Sequence, residues 1–266
     1  MCKIIAESGA NHNGDRRLML KMIKSAAKAG ADVVKFQSWR ADNLRKDWPD
    51  YDNALAYYRE RELSEDDHRW LIEKCAENNI EILTTAFDLG AVSFLASLGM
   101  KHIKIASPDC NSWKLIDQCV DNFEHVYIST GMHSSAEVKQ LAKHLGNKVE
   151  KVTALHCVSL YPVPPENVNM LRIAMLMRMF PNVGYSDHSM GTDAAKLAVS
   201  YGVECVEMHF TVDRTLPGKD QAISKLPKEI REICQWRDKV KVMMLGENGF
   251  PDEGARKYIG RWGNNA

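Results

Sequence analysis

The chain has 266 residues, 45% of them hydrophobic, and 35 basic side chains balance 35 acidic ones. That composition is enough for one large core, and the zero net charge argues against a nucleic-acid partner or an anionic membrane surface. No apolar run is long enough to cross a bilayer, the chain opens on a strand pattern rather than a signal peptide, and seven scattered cysteines without a CxxC pair predict a cytoplasmic protein with reduced thiols.

In chain order, residues 3–8 (KIIAES) read as a strand and GANHNG as a polar loop. Across 16–29 the apolar residues Leu18, Met19, Met22, Ile23, Ala26 and Ala27 have helical spacing, and Gly30 supplies the stop. Further strands are predicted at 32–37, 81–85, 102–106, 126–129 and 152–156, then in a stretch closing on Tyr185-Ser186-Asp187-His188, and at 203–210. Helical patterns fall at about 66–78, 89–98, 112–121, 135–145, 167–179, 192–201 and 227–244. Eight strands alternating with eight helices predict an α/β fold, a (β/α)8 TIM barrel. The alternative is an open doubly wound sheet, which normally carries a glycine-rich phosphate loop after its first strand. GANHNG is not GxGxxG.

The barrel domain is expected over residues 1–245. A long insertion at 38–63 carries Trp39, Trp48, Tyr51, Tyr57 and Tyr58 among many charges. Placed after strand two, it would lie over the active end of the barrel, either as a lid or as packed-down surface. Residues 246–266 show no apolar period and read as a linker or tail.

Reacting groups in such a barrel gather at the C-terminal ends of the strands, and nearly every strand here closes on polar residues. Strand one ends in Glu7, with Asn11 and His12 beyond it; strand two carries Lys35 and Gln37 on one face. Thr84 and Thr85 close strand three; Lys104, Ser107 and Asp109 follow on strand four. Strand five ends in Ser129 and Thr130, and strand six leads to His156, Ser159 and Tyr161. In the last strand Glu207 and His209 share one face, with Val206, Met208 and Phe210 on the other. Two lysines among serine and threonine hydroxyls suit a phosphate and a carboxylate. A lysine in an apolar strand is costly without a partner, and Glu7 and Asp109 are the candidate partners of Lys35 and Lys104. His188 and His209, at one end of neighbouring strands, could share a divalent ion, although a strand-end histidine is more often a hydrogen-bonding residue.

The ordered strings AESGANHNG, ADVVKFQ, TTAFD, KIASPD, ISTGM, LHCVSLYPVPPENVN, GYSDHSMG and EMHFTVDRTLPGKD resemble the sialic acid synthase family over about residues 3–245. Members are phosphoenolpyruvate-dependent synthases of nine-carbon 2-keto sugar acids such as N-acetylneuraminate, legionaminate and pseudaminate. The resemblance implies a metal-dependent barrel that condenses phosphoenolpyruvate with the open-chain aldehyde of an N-acyl hexosamine, releasing phosphate. It implies His188 and His209 as ligands of Mn²⁺, with Mg²⁺ or Co²⁺ as alternatives. Lys35, Thr85, Lys104, Ser107, Ser129, Ser159 and Ser186 match positions that hold phosphoenolpyruvate. Glu7, Gln37, Asp109, Tyr161 and Asp220 match positions that face the sugar or handle protons, with Glu7 assigned to the C2 water and Asp220 to the sugar hydroxyls or the C4 oxygen. Those two roles are interchangeable at this level.

Three departures stand out. The strand-four motif, usually SGE or SGD, is Ser107-Pro108-Asp109, and proline stiffens that turn. Ala86 stands where a proline is usual. Family members usually continue into a small antifreeze-like domain that reaches a partner's barrel, so a homodimer and a separate capping domain are expected partners, while the chain ends near Ala266. The competing readings are a related synthase with a different aldose acceptor and a non-catalytic barrel that binds sugar acids.

Overall fold

The computed structural model describes residues 2–245 together with Gly254 and Arg261, so the predicted tail falls almost entirely outside the described residues. The strands are β1 (Lys3–Glu7), β2 (Val33–Ser38), β3 (Glu81–Ala86), β4 (His102–Ile105), β5 (His125–Ser129), β6 (Val152–Cys157), β7 (Asn182–Asp187) and β8 (Cys205–His209). Each pairs in parallel with the next, and β8 returns to β1, with Glu7 opposite His209. The sheet is therefore a closed TIM barrel, and the doubly wound alternative is excluded.

The helices are α1 (Arg16–Ala29), α2 (Tyr51–Arg61), α3 (Glu65–Glu77), α4 (Leu89–Ser97), α5 (Trp113–Asn122), α6 (Ser135–Leu145), α7 (Leu171–Leu176), α8 (Asp193–Ser200) and α9 (Pro227–Leu245). Local sequence sets their ends. Asp15 caps α1 and Gly30, at φ 94°, terminates it. Ser64 with Asp67, and Ser134 with Glu137, close capping boxes on α3 and α6. The helix predicted at 167–179 starts only at Leu171, beyond Asn169 with its left-handed backbone at φ 48°, and ends at Leu176. Helix α2 inside the insertion was not expected. It buries only Ala54 and Arg61, so its sequence shows no apolar stripe.

Strand alternation sorts the core into two. Outward residues such as Ile4, Val34, Ile103, Ile128, Val183 and Met208 pack against the helices. Inward, Ile5, Val33, Leu83, Tyr127, Leu155 and Cys205 form an apolar plug across the lower barrel. On five of those six strands the next inward position is polar, Glu7, Lys35, Thr85, Ser129 and Glu207, and on β6 it is Cys157. The plug gives that polar layer a dry floor. His156 belongs to the outward set; its Nε2 lies 2.8 Å from the Val168 carbonyl. All seven cysteines are free, six of them buried. Among the described residues no helix is long and apolar enough to cross a membrane.

Gly184 occupies a place in β7 where no side chain fits. A Cβ there would meet Cys205 Sγ at 2.6 Å, with Cys205 O and Leu155 Cγ both at 3.1 Å. Gly184→Ala is expected to destabilise the barrel by about 1–3 kcal/mol, the usual range for overpacking. Urea unfolding checks this, and an unchanged midpoint would show that the plug can yield.

Candidate active site

The C-terminal mouth of the barrel holds a cavity of ≈ 240 Å³. Of the fourteen residues to which the resemblance assigns a role, thirteen line it: Glu7, Lys35, Gln37, Thr85, Lys104, Ser107, Ser129, Ser159, Tyr161, Ser186, His188, His209 and Asp220. Asp109 is set apart. It sits in the turn after β4, accepts from Ser112 Oγ at 2.9 Å and lines a neighbouring cavity. Its expected pairing with Lys104 does not occur.

Lys104 instead donates to both oxygens of Glu207, at 3.0 Å each. The same carboxylate lies 3.6 Å from Lys35 Nζ and accepts from Ser186 Oγ at 2.9 Å. Lys35 also reaches Glu7 Oε2 at 2.6 Å and donates to Thr85 Oγ1 at 2.9 Å. Gln37 donates to the other Glu7 oxygen at 2.6 Å. Glu207 is thus the centre of the site, and the sequence reading passed over it as a candidate. The available signal was a charged residue inside an apolar strand, on the same face as His209.

The two carboxylates are driven apart. Burial alone would raise Glu207, but Lys104 and Lys35 outweigh it and hold this carboxyl well below the usual range. Burial pushes Glu7 up to about 7; Lys35 opposes that shift and the Glu207 charge adds to it. Burial alone would lower Lys35, yet Glu207 and Glu7 together raise it. Burial also raises Asp220, against the pull of His188 and Lys219.

His188 and His209 face each other with ring centroids 5.5 Å apart. Burial lowers both to about 4, helped at His209 by Lys35, Lys225 and Lys104, so both are neutral at pH 7. His188 Nδ1 donates to the Val158 carbonyl at 2.8 Å, which leaves a lone pair on Nε2. His209 Nδ1 is buried without a hydrogen-bond partner and lies 3.9 Å from Asp220 Oδ2. The Tyr161 ring covers the pair, 4.3 Å from His188 and 5.8 Å from His209. Two lone pairs of this kind, one of them orphaned, fit a first-row divalent ion. Among the described residues no group of three or more His, Cys, Asp or Glu side chains is arranged to hold one.

Behind the histidines lies a second buried ion pair. Lys225, 1% exposed, places Nζ 3.0 Å from Asp187 Oδ2 and donates to the Ser189 carbonyl. Its backbone N–H donates to the His209 carbonyl at 2.7 Å. The other Asp187 oxygen accepts from Ser189 N at 2.9 Å and Tyr185 Oη at 3.1 Å. One lysine therefore ties the turn after His188 to the strand end at His209. No sequence signal separates it from a surface lysine. Asn11 and His12, also strand-end candidates, are structural: Asn11 donates to Phe210 O and Ser224 Oγ, and His12 Nδ1 accepts from Gly14 N.

A closed parallel barrel with two lysines, a ring of hydroxyls and two neutral imidazoles at its mouth is the frame of an enzyme that handles a small polyanion. The chain belongs to the NeuB family, whose model matches residues 22–248, and is a phosphoenolpyruvate-dependent, sialic-acid-synthase-like enzyme. It is 36% identical to the N,N'-diacetyllegionaminic acid synthase of Legionella pneumophila, over 92% of this chain and 74% of that protein. A crystal structure of N-acetylneuraminic acid synthetase from Leptospira borgpetersenii, in complex with citrate, superposes with a TM-score of 0.90 at 32% identity, covering 99% of this chain and 92% of that one. The spore coat polysaccharide biosynthesis protein SpsE of Bacillus subtilis gives 0.82 at 31% identity, covering 94% and 71%.

Lys225→Met would leave the Asp187 carboxylate buried and unpaired. A loss of about 3–5 kcal/mol is expected, and adding Asp187→Asn should recover most of it. Urea unfolding of the single and double variants checks this; equal stability of Lys225→Met and the parent would show the pair to be idle.

Proposed function

We propose that the protein condenses phosphoenolpyruvate with the open-chain aldehyde of an N-acyl hexosamine, giving a nine-carbon 2-keto-3-deoxy sugar acid and phosphate. The observation that carries this reading is the pair of buried ammonium groups, Lys35 and Lys104, bridged by Glu207 beside two neutral imidazoles. The names of similar proteins, which include legionaminic and neuraminic acid synthases, support the same product class.

Lys35 and Lys104 neutralise the carboxylate and phosphate of phosphoenolpyruvate, while Ser107, Ser129, Ser159, Ser186 and Thr85 donate hydroxyl hydrogen bonds to their oxygens. Glu207 keeps the two ammonium groups aimed into the cavity instead of apart. His188 and His209 would hold Mn²⁺ or a similar ion, which would supply Lewis-acid polarisation of the aldehyde. Carbon 3 of phosphoenolpyruvate forms the new bond to the aldehyde carbon, and the carbonyl oxygen takes a proton from Asp220. The electron-poor C2 then accepts water, and Glu7 removes that water's proton. The tetrahedral centre then collapses: the bond between C2 and the bridging oxygen breaks, the remaining C2 hydroxyl gives its proton to the departing phosphate, and C2 becomes the keto carbon. Tyr161 shields the histidines from solvent.

Phosphate release from phosphoenolpyruvate is expected only when a suitable aldehyde sugar and Mn²⁺ are both present. Release with no sugar, or none with any amino sugar or aldose, would count against the synthase reading. His209→Ala should abolish metal-dependent turnover while circular dichroism stays unchanged; full activity in that variant would remove the ligand assignment.

The value near 7 for Glu7 gives a pH dependence. A base acts in its deprotonated form, so kcat/KM should rise with pH through about 7. Glu7→Gln should lower kcat by roughly 10²–10⁴-fold and flatten that limb. A limb that survives the substitution would assign the base elsewhere.

A further inference from the structure

The two lysines at the mouth are not free cations. Lys104 is paired with Glu207, and Lys35 with both Glu7 and Glu207. Two ammonium groups and two carboxylates bring that network close to neutral, whereas phosphoenolpyruvate brings a carboxylate and a phosphate together. Holding it in a half-enclosed site calls for positive charge from beyond the network.

The turn between β5 and α6, residues 130–134, walls the cavity on one side. Ser129 just before it and Met132 within it line the cavity, together with Ser107 and Ser159. The turn is gripped from three directions. Beyond β4, Ser107 Oγ accepts from Met132 N at 2.7 Å. At the end of β6, a Cβ on Gly131 would meet Cys157 Sγ at 2.5 Å and Ser159 Oγ at 3.0 Å, so only bare backbone fits there. From α7, Arg172 Nη2 donates to the carbonyls of Thr130, at 3.2 Å, and His133, at 2.5 Å.

Arg172 differs from the paired lysines. Both of its acceptors are backbone carbonyls, and among the described residues no carboxylate pairs with it. Its Nε is buried without a hydrogen-bond partner. A guanidinium keeps its charge at any working pH, and this one is half-buried, so solvent screens it incompletely. Its field is felt on both flanks of the turn. Burial raises the Cys110 thiol beyond β4 to about 12, and Arg172 pulls against that rise; burial lowers His156 on β6, and Arg172 adds to the fall.

We propose that Arg172, although it does not line the cavity, is a positioning residue for the anionic substrate: it fixes the turn beside Ser129 and supplies, from behind that turn, the positive charge that the paired lysines lack. The proposal takes the identity of the anion from the phosphoenolpyruvate reading above. Its test compares the parent with Arg172→Lys, which keeps the charge, and Arg172→Gln, which keeps a donor without the charge. Calorimetric titration with phosphoenolpyruvate, and with inorganic phosphate, needs no acceptor. Arg172→Gln should weaken the phosphoenolpyruvate Kd about tenfold, and Arg172→Lys no more than about threefold. In turnover the KM for phosphoenolpyruvate should follow the Kd, with kcat and the acceptor KM held within about twofold, the mark of lost binding and not of lost chemistry.

An unchanged Kd in Arg172→Gln would overturn the proposal, and so would equal losses in the two variants, since shape alone would then account for them. If circular dichroism shows that Arg172→Gln does not fold, Arg172→Lys decides: a Kd within about threefold of the parent's supports the charge role, and a tenfold loss overturns it. A parent that binds neither phosphoenolpyruvate nor phosphate also overturns it. Parent turnover with an aldehyde sugar tests the synthase reading separately. If it fails while phosphoenolpyruvate still binds, that reading falls and the Kd comparison still judges Arg172.

Discussion

Two ammonium groups inside a barrel persist only where carboxylates stand within hydrogen-bond reach. Glu207 meets that need for both Lys104 and Lys35. With Lys35 shared further with Glu7, two cations and two carboxylates form one buried network. Its members cannot all ionise with equal ease. Glu207, between both lysines, takes the charge, and Glu7, with one lysine and a like charge nearby, is left close to neutrality in pH terms. A charge-balancing requirement of the fold thus produces a strongly bound counterion and a group that can carry a proton.

The plug beneath this network gives those interactions their strength. Ile5, Val33, Leu83, Tyr127, Leu155 and Cys205 close the barrel below the charges. Water reaches the lysines only from the mouth, so electrostatic interactions there are less screened than at a surface. Gly184 belongs to the same device, because Cys205 occupies the space a side chain there would need. Stability and site chemistry draw on one packing arrangement.

The mouth itself is assembled from loops that do not resemble one another. The turn after β7 and the strand end of β8 are locked together by Lys225 and Asp187. On the opposite side the insertion after β2 contributes fixed aromatics, with Trp39 packed against Tyr58. The polar floor is built from regularly spaced strand positions, whereas the rim depends on long, particular loops. That division puts the buried charges on rigid strands and leaves the rim to segments freer to vary.

The sequence by itself determined the alternation of strands and helices, the closed parallel architecture it implies, and which side chains point inward. Those properties follow from local periodicity: every second residue of a strand faces the same side, so Glu7, Lys35, Lys104, His209 and their neighbours were legible as one polar layer. Helix α2 and the late start of α7 were not, because one lacks an apolar stripe and the other follows a single left-handed asparagine. Partner choice was decided only by the tertiary structure. Lys104 pairs with Glu207, 103 residues away, instead of nearby Asp109, and Lys225 becomes a buried clamp. The physical reason is that barrel closure sets strands β4 and β8 facing each other across a space one ion pair wide, a distance that no pattern along the chain encodes.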